Sequence, residues 1–229
     1  MLVASGVVAC SSFSEKMAPI DATPSEVDAG EPATDAASEA DALIPDRQNP
    51  YGAAYPTKHL GTKPRTDGGP GDVIANLKLT GYAPGATASS VLQMADVYDP
   101  QGRTHDLVAL IVVASWDPIS PMMVEELRAA PPSRVALFPV LVFGAFREAA
   151  KKADLDAFRV AHLIGTAWYA FDPGGKQLPP LDESAVPGLI LLDARTMEIV
   201  GVPAGWKKDE VKSDLEAKAA EVKARPPAY

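Results

Sequence analysis

Few residues in this chain could do chemistry, and the most suggestive stand together at Trp116-Asp117-Pro118-Ile119-Ser120. Asp117 offers a carboxylate and Ser120 a hydroxyl three residues on, residue types that serve as general base or nucleophile. Either role needs a proton relay and a substrate pocket, and no residue nearby in sequence supplies the relay. The architectural role of the pair is more immediate. Asp at an N-cap, followed by Pro at the first helical position, starts a helix by accepting from its free N–H groups. Ser120-Pro121 offers a second start one turn later. Sulfur chemistry is limited to Cys10, the chain's single cysteine, which excludes an intrachain disulfide. His59, His105 and His162 share no ligand spacing with one another or with a cysteine, so neither a metal nor a cofactor is expected. His105, at a turn beside Asp106, is expected at the surface, and His162 partly buried on a helix. No nucleophile elbow, phosphate loop or dinucleotide fingerprint is present, and Gly165-Thr166 and Gly174-Gly175 read as turns.

The elements that must position Asp117 are legible around it. Leu107-Val108-Ala109-Leu110-Ile111-Val112-Val113-Ala114 is continuously apolar, as in a central strand buried on both faces. A helix is expected over 121–130 with Met122, Met123, Val124 and Leu127 as its apolar positions. A second buried strand spans 135–143, where Pro139 predicts a bulge or an edge position. Upstream, 91–98 reads as a strand closed by the turn Asp99-Pro100-Gln101-Gly102. Downstream come a helix over 147–163, a short strand over 167–171, and a strand over 184–193. Arg195-Thr196 then turns the chain into a hairpin strand over 197–201. A last helix over 207–225 carries Val211, Leu215 and Val222 as its buried stripe.

Residues 112–120 resemble the redox loop of thioredoxin-like proteins, in which a buried strand and Ala-Ser-Trp lead into Cys-x-x-Cys. Here those four positions read Asp117-Pro118-Ile119-Ser120, so both redox cysteines are replaced. Val186-Pro187 resembles the family's cis-proline, and residues 70–82 resemble the opening segment of periplasmic thioredoxin-like and peroxiredoxin-like proteins. The resemblance covers about residues 70–225 and implies an α/β, thioredoxin-like fold, a central mixed β-sheet flanked by helices. It also implies a groove between Trp116 and Val186-Pro187, where relatives hold an extended peptide through backbone hydrogen bonds. Dithiol exchange needs a thiolate and a resolving thiol, and oxygen replaces neither. The expected function is therefore a non-catalytic binding or scaffolding module for a polypeptide. The alternative is a thiol-disulfide oxidoreductase or peroxidase with an atypical site.

The N-terminus reads as three consecutive signals. Val7-Val8-Ala9-Cys10 resembles the lipobox of bacterial lipoproteins, making residues 1–10 a signal segment with Cys10 lipidated. One explanation of its missing positive leader is a start upstream of Met1. Residues 11–69, rich in Ala, Pro, Ser and acidic residues, lack apolar periodicity and read as a disordered tether, with Tyr51, Tyr55 and Leu60 as minor docking points. Within 11–47 nine carboxylates face only Lys16 and Arg47, which accounts for most of the formal net charge of −9. The remainder is near neutral with no basic run, which excludes nucleic acid as the expected partner. The expected location is the bacterial cell envelope, with membrane contact only through the lipid.

Overall fold

The computed structural model describes residues 45–56, 60–63, 68–179, 186–203 and 207–226. Cys10, His59 and Trp206 lie outside them, as do the segments 1–44 and 180–185. A seven-stranded mixed sheet organises the rest. Its strands are β1 (Lys78–Tyr82), β2 (Ser90–Gln93), β3 (Leu107–Ala114), β4 (Val135–Phe143), β5 (Tyr169–Phe171), β6 (Gly188–Asp193) and β7 (Ile199–Gly201). They lie in the order β2-β1-β5-β4-β3-β6-β7. β3 pairs in parallel with β4 and antiparallel with β6, and β4 pairs in parallel with β5. Helix α1 (Ile119–Ala129) follows β3, α2 (Lys152–Ala161) follows β4, and α3 (Val211–Ala224) follows β7. This strand order and connectivity is the thioredoxin-like α/β arrangement that the sequence implies.

Period-two alternation divides the core into two layers. Val108, Leu110 and Val112 of β3 face one side with Ala136, Phe138 and Val140 of β4. Leu107, Ala109, Ile111 and Val113 face the other, where they meet Met123, Val124 and Leu127 of α1 and Leu155 and Phe158 of α2. Val211, Leu215, Ala219 and Val222 of α3 complete that layer. All three α-helices thus cover one face. Among the described residues the opposite face is closed without an α-helix, by Tyr55, Val73, Ile74 and Leu77 together with Met94, Val97 and Tyr98. The 3-10 turn Met94–Asp96 begins that crossing at the β2 edge, and Asp99 reaches Ala194 beside β6.

Several elements differ from their sequence expectation. Pro139 lies neither at a bulge nor at an edge: it sits in register opposite Ile111 in the middle of the sheet. Leu137 and Leu141 accept from Trp168 and Asp172 backbone N–H groups, so the intervening Pro139 turns its nitrogen toward β5. The β4–β5 ladder covers only Val140↔Ala170 and Leu141↔Phe171, so the missing N–H falls outside it. The bulge comes at Val142, where the register skips from Val113↔Leu141 to Ala114↔Phe143. The helix expected from residue 147 starts only at Lys152, because 144–151 forms a loop bonded back onto β4.

The largest difference is at the N-terminal side. The stretch expected to be a disordered tether to residue 69 is packed from residue 45. Arg47 N–H donates to Gln93 Oε1 (2.9 Å), Gln93 Nε2 donates to the Pro45 carbonyl (3.0 Å), and the Arg47 guanidinium pairs with Asp96 (2.7 Å). Asn49 donates to the Tyr98 carbonyl at 2.8 Å and accepts from the backbone of Tyr51 and Ala53. Tyr55 is 6% exposed, with its ring edge-on to Tyr98 and its hydroxyl donating to the Ile74 carbonyl at 2.7 Å. Apart from the Arg47–Asp96 pair these bonds join side chain to backbone, and none of them leaves an apolar periodicity to read. Tyr55→Ala is expected to lower the unfolding free energy by about 3 kcal/mol, the cost of emptying a buried aromatic site. Urea unfolding of the full chain measures it; an unchanged midpoint would mean the segment is not part of the core.

Candidate functional site

The candidate site forms where β3 and β4 end. Ser115 N–H donates to the Phe143 carbonyl (3.0 Å) and Asp117 N–H to the Ala114 carbonyl (3.3 Å), which turns the chain sharply into α1. Asp117 accepts at Oδ1 from Ile119 N–H (3.2 Å) and at Oδ2 from Ser120 N–H (2.7 Å). The Ser120 hydroxyl also donates to Asp117 Oδ2 at 2.7 Å and accepts from Ala114 N–H at 3.2 Å. Pro118 already has helical angles, φ −71° and ψ −17°, so Asp117 is the residue that caps α1. Ser120 is fully buried and Asp117 nearly so, at 0% and 5% exposure. No substrate reaches that hydroxyl, and its one proton is committed. Pro118 and Ile119 face solvent.

Val186-Pro187 comes to the same place from far along the chain. The β3–β6 ladder ends at Val112↔Gly188, so Val186 and Pro187 run beside Val113 and Ala114. The Val186–Pro187 bond is cis, Pro187 is buried, and Val186 packs half-buried against the helix-free core layer. Ala114 N–H is taken by Ser120, and the Val186 backbone has no hydrogen-bond partner among the described residues. Trp116 stands at this corner, but not as an open apolar wall. The Arg147 guanidinium lies over its ring, 4.2 Å from the centroid. Such a contact is worth about 0.5–1 kcal/mol at an exposed site. The Trp116 Nε1 atom is buried without a hydrogen-bond partner among the described residues.

Arg147 and its loop escaped sequence reasoning, which placed Arg147 in a helix. Instead, Phe143 bridges Ala149, Gly144 N–H donates to the Glu148 carbonyl (2.8 Å), and Ala150 N–H donates to the Val142 carbonyl (3.1 Å). Glu148 Oε2 accepts from Phe146 N–H at 2.8 Å. A Cβ on residue 144 would overlap the Glu148 carboxylate in its present position, so a larger residue there would push that side chain off the Phe146 N–H. Arg147 holds φ +65°, a left-handed conformation costing on the order of 1 kcal/mol for a non-glycine residue. The signals were Gly144 directly after the strand and Glu148 four residues on, too short a pattern to overrule the helical spacing beyond it.

Asp172 is a second residue the sequence reading passed over, as part of a turn. It follows β5, is fully buried, and accepts at Oδ2 from Gln177 N–H (2.9 Å) and Leu178 N–H (3.0 Å). Burial pushes its carboxyl above the usual range, against the backbone donors that favour the ionised form. His105 lies at the opposite end of β3. It is partly buried, edge-on to Trp168, rather than freely exposed as expected, and burial lowers its pKa. His162 packs on Phe158 and meets Glu125 at 2.9 Å. His105 and His162 are therefore not gathered at the site, and His59 lies outside the described residues.

No protein-family model and no curated protein sequence matches the chain. It is similar to several solved structures. The exposed lipoprotein thioredoxin of Streptococcus pneumoniae is 17% identical with a TM-score of 0.47, the match covering 64% of this chain and 99% of that one. A secreted disulfide oxidoreductase of Mycobacterium tuberculosis is 13% identical with a TM-score of 0.42, over 62% of this chain and 94% of that one. A thioredoxin-like protein from Aeropyrum pernix is 13% identical with a TM-score of 0.42, over 63% and 89%.

Capping gives Asp117 a measurable role. Asp117→Ala removes three accepted hydrogen bonds and strands the buried Ser120 hydroxyl, an expected loss of about 2 kcal/mol in unfolding free energy. Asp117→Asn keeps an acceptor oxygen at the cap and is expected to lose less than half as much. Denaturant unfolding of both variants checks this, and equal losses would contradict the capping role.

Proposed function

We propose that this chain is a redox-inactive binding or scaffolding module of the bacterial cell envelope, anchored by lipid at Cys10. It holds an extended polypeptide along the Val186-Pro187 segment. One observation carries the first part: Asp117 and Ser120, at the positions that carry sulfur in relatives, are buried and bonded to each other at 2.7 Å. A thiol-disulfide cycle forms and breaks an S–S bond, and a carboxylate with a hydroxyl has no counterpart to that step. Loss of the sulfurs removes turnover and leaves the recognition geometry in place. An extended chain beside Val186 would find its free backbone N–H and C=O groups, as in β-augmentation.

The full chain is the species to test, since the segment from residue 45 belongs to the core. Thiol-dependent turnover of a disulfide substrate and of peroxide is expected to equal the no-protein control, and clear turnover above it would overturn the reading. In capture from envelope extract, Trp116→Ala and Val186→Pro are each expected to lower the yield of specific partners several-fold while the thermal midpoint stays close to wild type. Undiminished capture by the folded variants would remove the groove from the proposal.

The anchoring part rests on Val7-Val8-Ala9-Cys10 followed by an acidic, Pro- and Ala-rich stretch. Among the described residues no helix is long and apolar enough to cross a membrane. In the native host the protein is expected in the membrane fraction, with an intact mass that starts at a diacylglyceryl-modified Cys10. A soluble protein beginning at Met1 would overturn it.

A further inference from the structure

We infer that the loop from Gly144 to Ala150 selects the polypeptide held at this site, with Arg147 pairing an acidic side chain of the bound segment and Phe146 packing against an apolar one. The inference rests on the polypeptide-binding reading above and names the chemistry of its partner.

Three features of the loop point the same way. Phe146 is 91% exposed, the most exposed large apolar side chain among the described residues. It is not on a frayed segment: its own N–H is held by Glu148, and the loop closes on β4 through Gly144, Ala149 and Ala150. A rigid mount that keeps an aromatic ring in water has the character of an interface anchor. Ile119 and Met122, exposed on the first turn of α1, add apolar surface at the same end of the sheet.

The second feature is Arg147. Its guanidinium covers the Trp116 ring and forms no ion pair with any described carboxylate. The two carboxylates next along the chain are committed to backbone donors, Glu148 to Phe146 N–H and Asp154 to Lys151 N–H at 2.8 Å, and Asp117 beside Trp116 is committed to α1. A stacked guanidinium keeps its N–H edges available and is pre-oriented for a two-pronged carboxylate contact. The third feature is the Arg147 backbone, held at φ +65° by the bonds on either side of it. That conformation, not local helix preference, turns the side chain onto Trp116 and so toward the strand end where Val186 lies.

Two end-capped eight-residue peptides test this, one alternating Leu with Glu and the other Leu with Lys. Each carries fluorescein and is titrated by polarisation against the full chain at low and moderate salt. The Glu peptide is expected to bind about tenfold more tightly than the Lys peptide, with the difference shrinking in salt. Arg147→Gln is expected to erase the preference, Arg147→Glu to reverse it, and Phe146→Ala to weaken both peptides. The Trp116 indole N–H resonance is expected to shift on binding the Glu peptide. Equal binding of the two peptides, or a preference that survives Arg147→Gln, overturns this inference. If that binding is still lost in Trp116→Ala, the groove reading stands. Absence of binding by either peptide to the wild-type chain overturns both.

Discussion

A strand buried on both faces must end somewhere, and the donors at its end are out of reach of water. β3 ends under that constraint, eight buried residues from Leu107 to Ala114 running directly into a helix. Ala114 N–H and the first N–H groups of α1 all need acceptors inside the protein. Asp117 and Ser120 supply them, with the serine hydroxyl in turn donating its hydrogen bond to the carboxylate. The placement of α1, the turn at Trp116 and the corner facing Val186 all follow from this small network. A pair of thiols could not satisfy the same donors as well, since sulfur is a weak acceptor. Oxygen side chains at these two positions therefore make a firmer strand–helix junction than sulfur would.

That junction also fixes what surrounds it. With Asp117 and Ser120 closed on each other, the polar capacity left at the corner lies elsewhere: on the Val186 backbone, on Trp116 Nε1 and on the Arg147 guanidinium. These groups offer hydrogen bonds and, at Arg147, a positive charge, the features on which the proposed polypeptide site rests. The bulge at Val142 re-aims the end of β4, which lets the following loop fold back and lay Arg147 over Trp116.

Sequence periodicity told most about the parts whose side chains are buried in a regular pattern. The bounds of β3 and β4 follow from their apolar runs, the buried stripe Val211, Leu215 and Val222 from helical spacing, and the Asp117 cap from residue type. Val186-Pro187 was legible only through its resemblance to the family's cis-proline, and the strand expected from residue 184 begins at Gly188. What stayed hidden depends on long-range satisfaction of polar groups. Asn49, Arg47 and Gln93 are ordinary polar residues in sequence, yet together they bind residues 45–55 to the fold. Arg147 at positive φ has no sequence signature, and its neighbours continue the helical spacing that begins properly only at Lys152. Pro139 misled because a proline is judged by its strand, whereas its tolerance depends on where the neighbouring ladder begins.

The packed N-terminal segment changes the physical meaning of the proposed anchor. A free stretch from residue 11 to residue 69 would let the domain range about 200 Å from a lipid at Cys10, at full extension. The chain is bound to the core from Pro45 onward, through the Gln93 amide on its carbonyl and the Arg47 contacts beside it. Only residues 11–44 then separate the anchor from the fold, and their covalent length limits the reach to about 120 Å. The attachment is also lateral, at the β2 edge of the sheet, so a pull along the tether loads the Arg47–Gln93–Asp96 contacts before it reaches the central strands. The corner of Trp116, at the end of β3, lies four strands from that edge. The proposed anchor and the proposed polypeptide site therefore would not compete for the same surface.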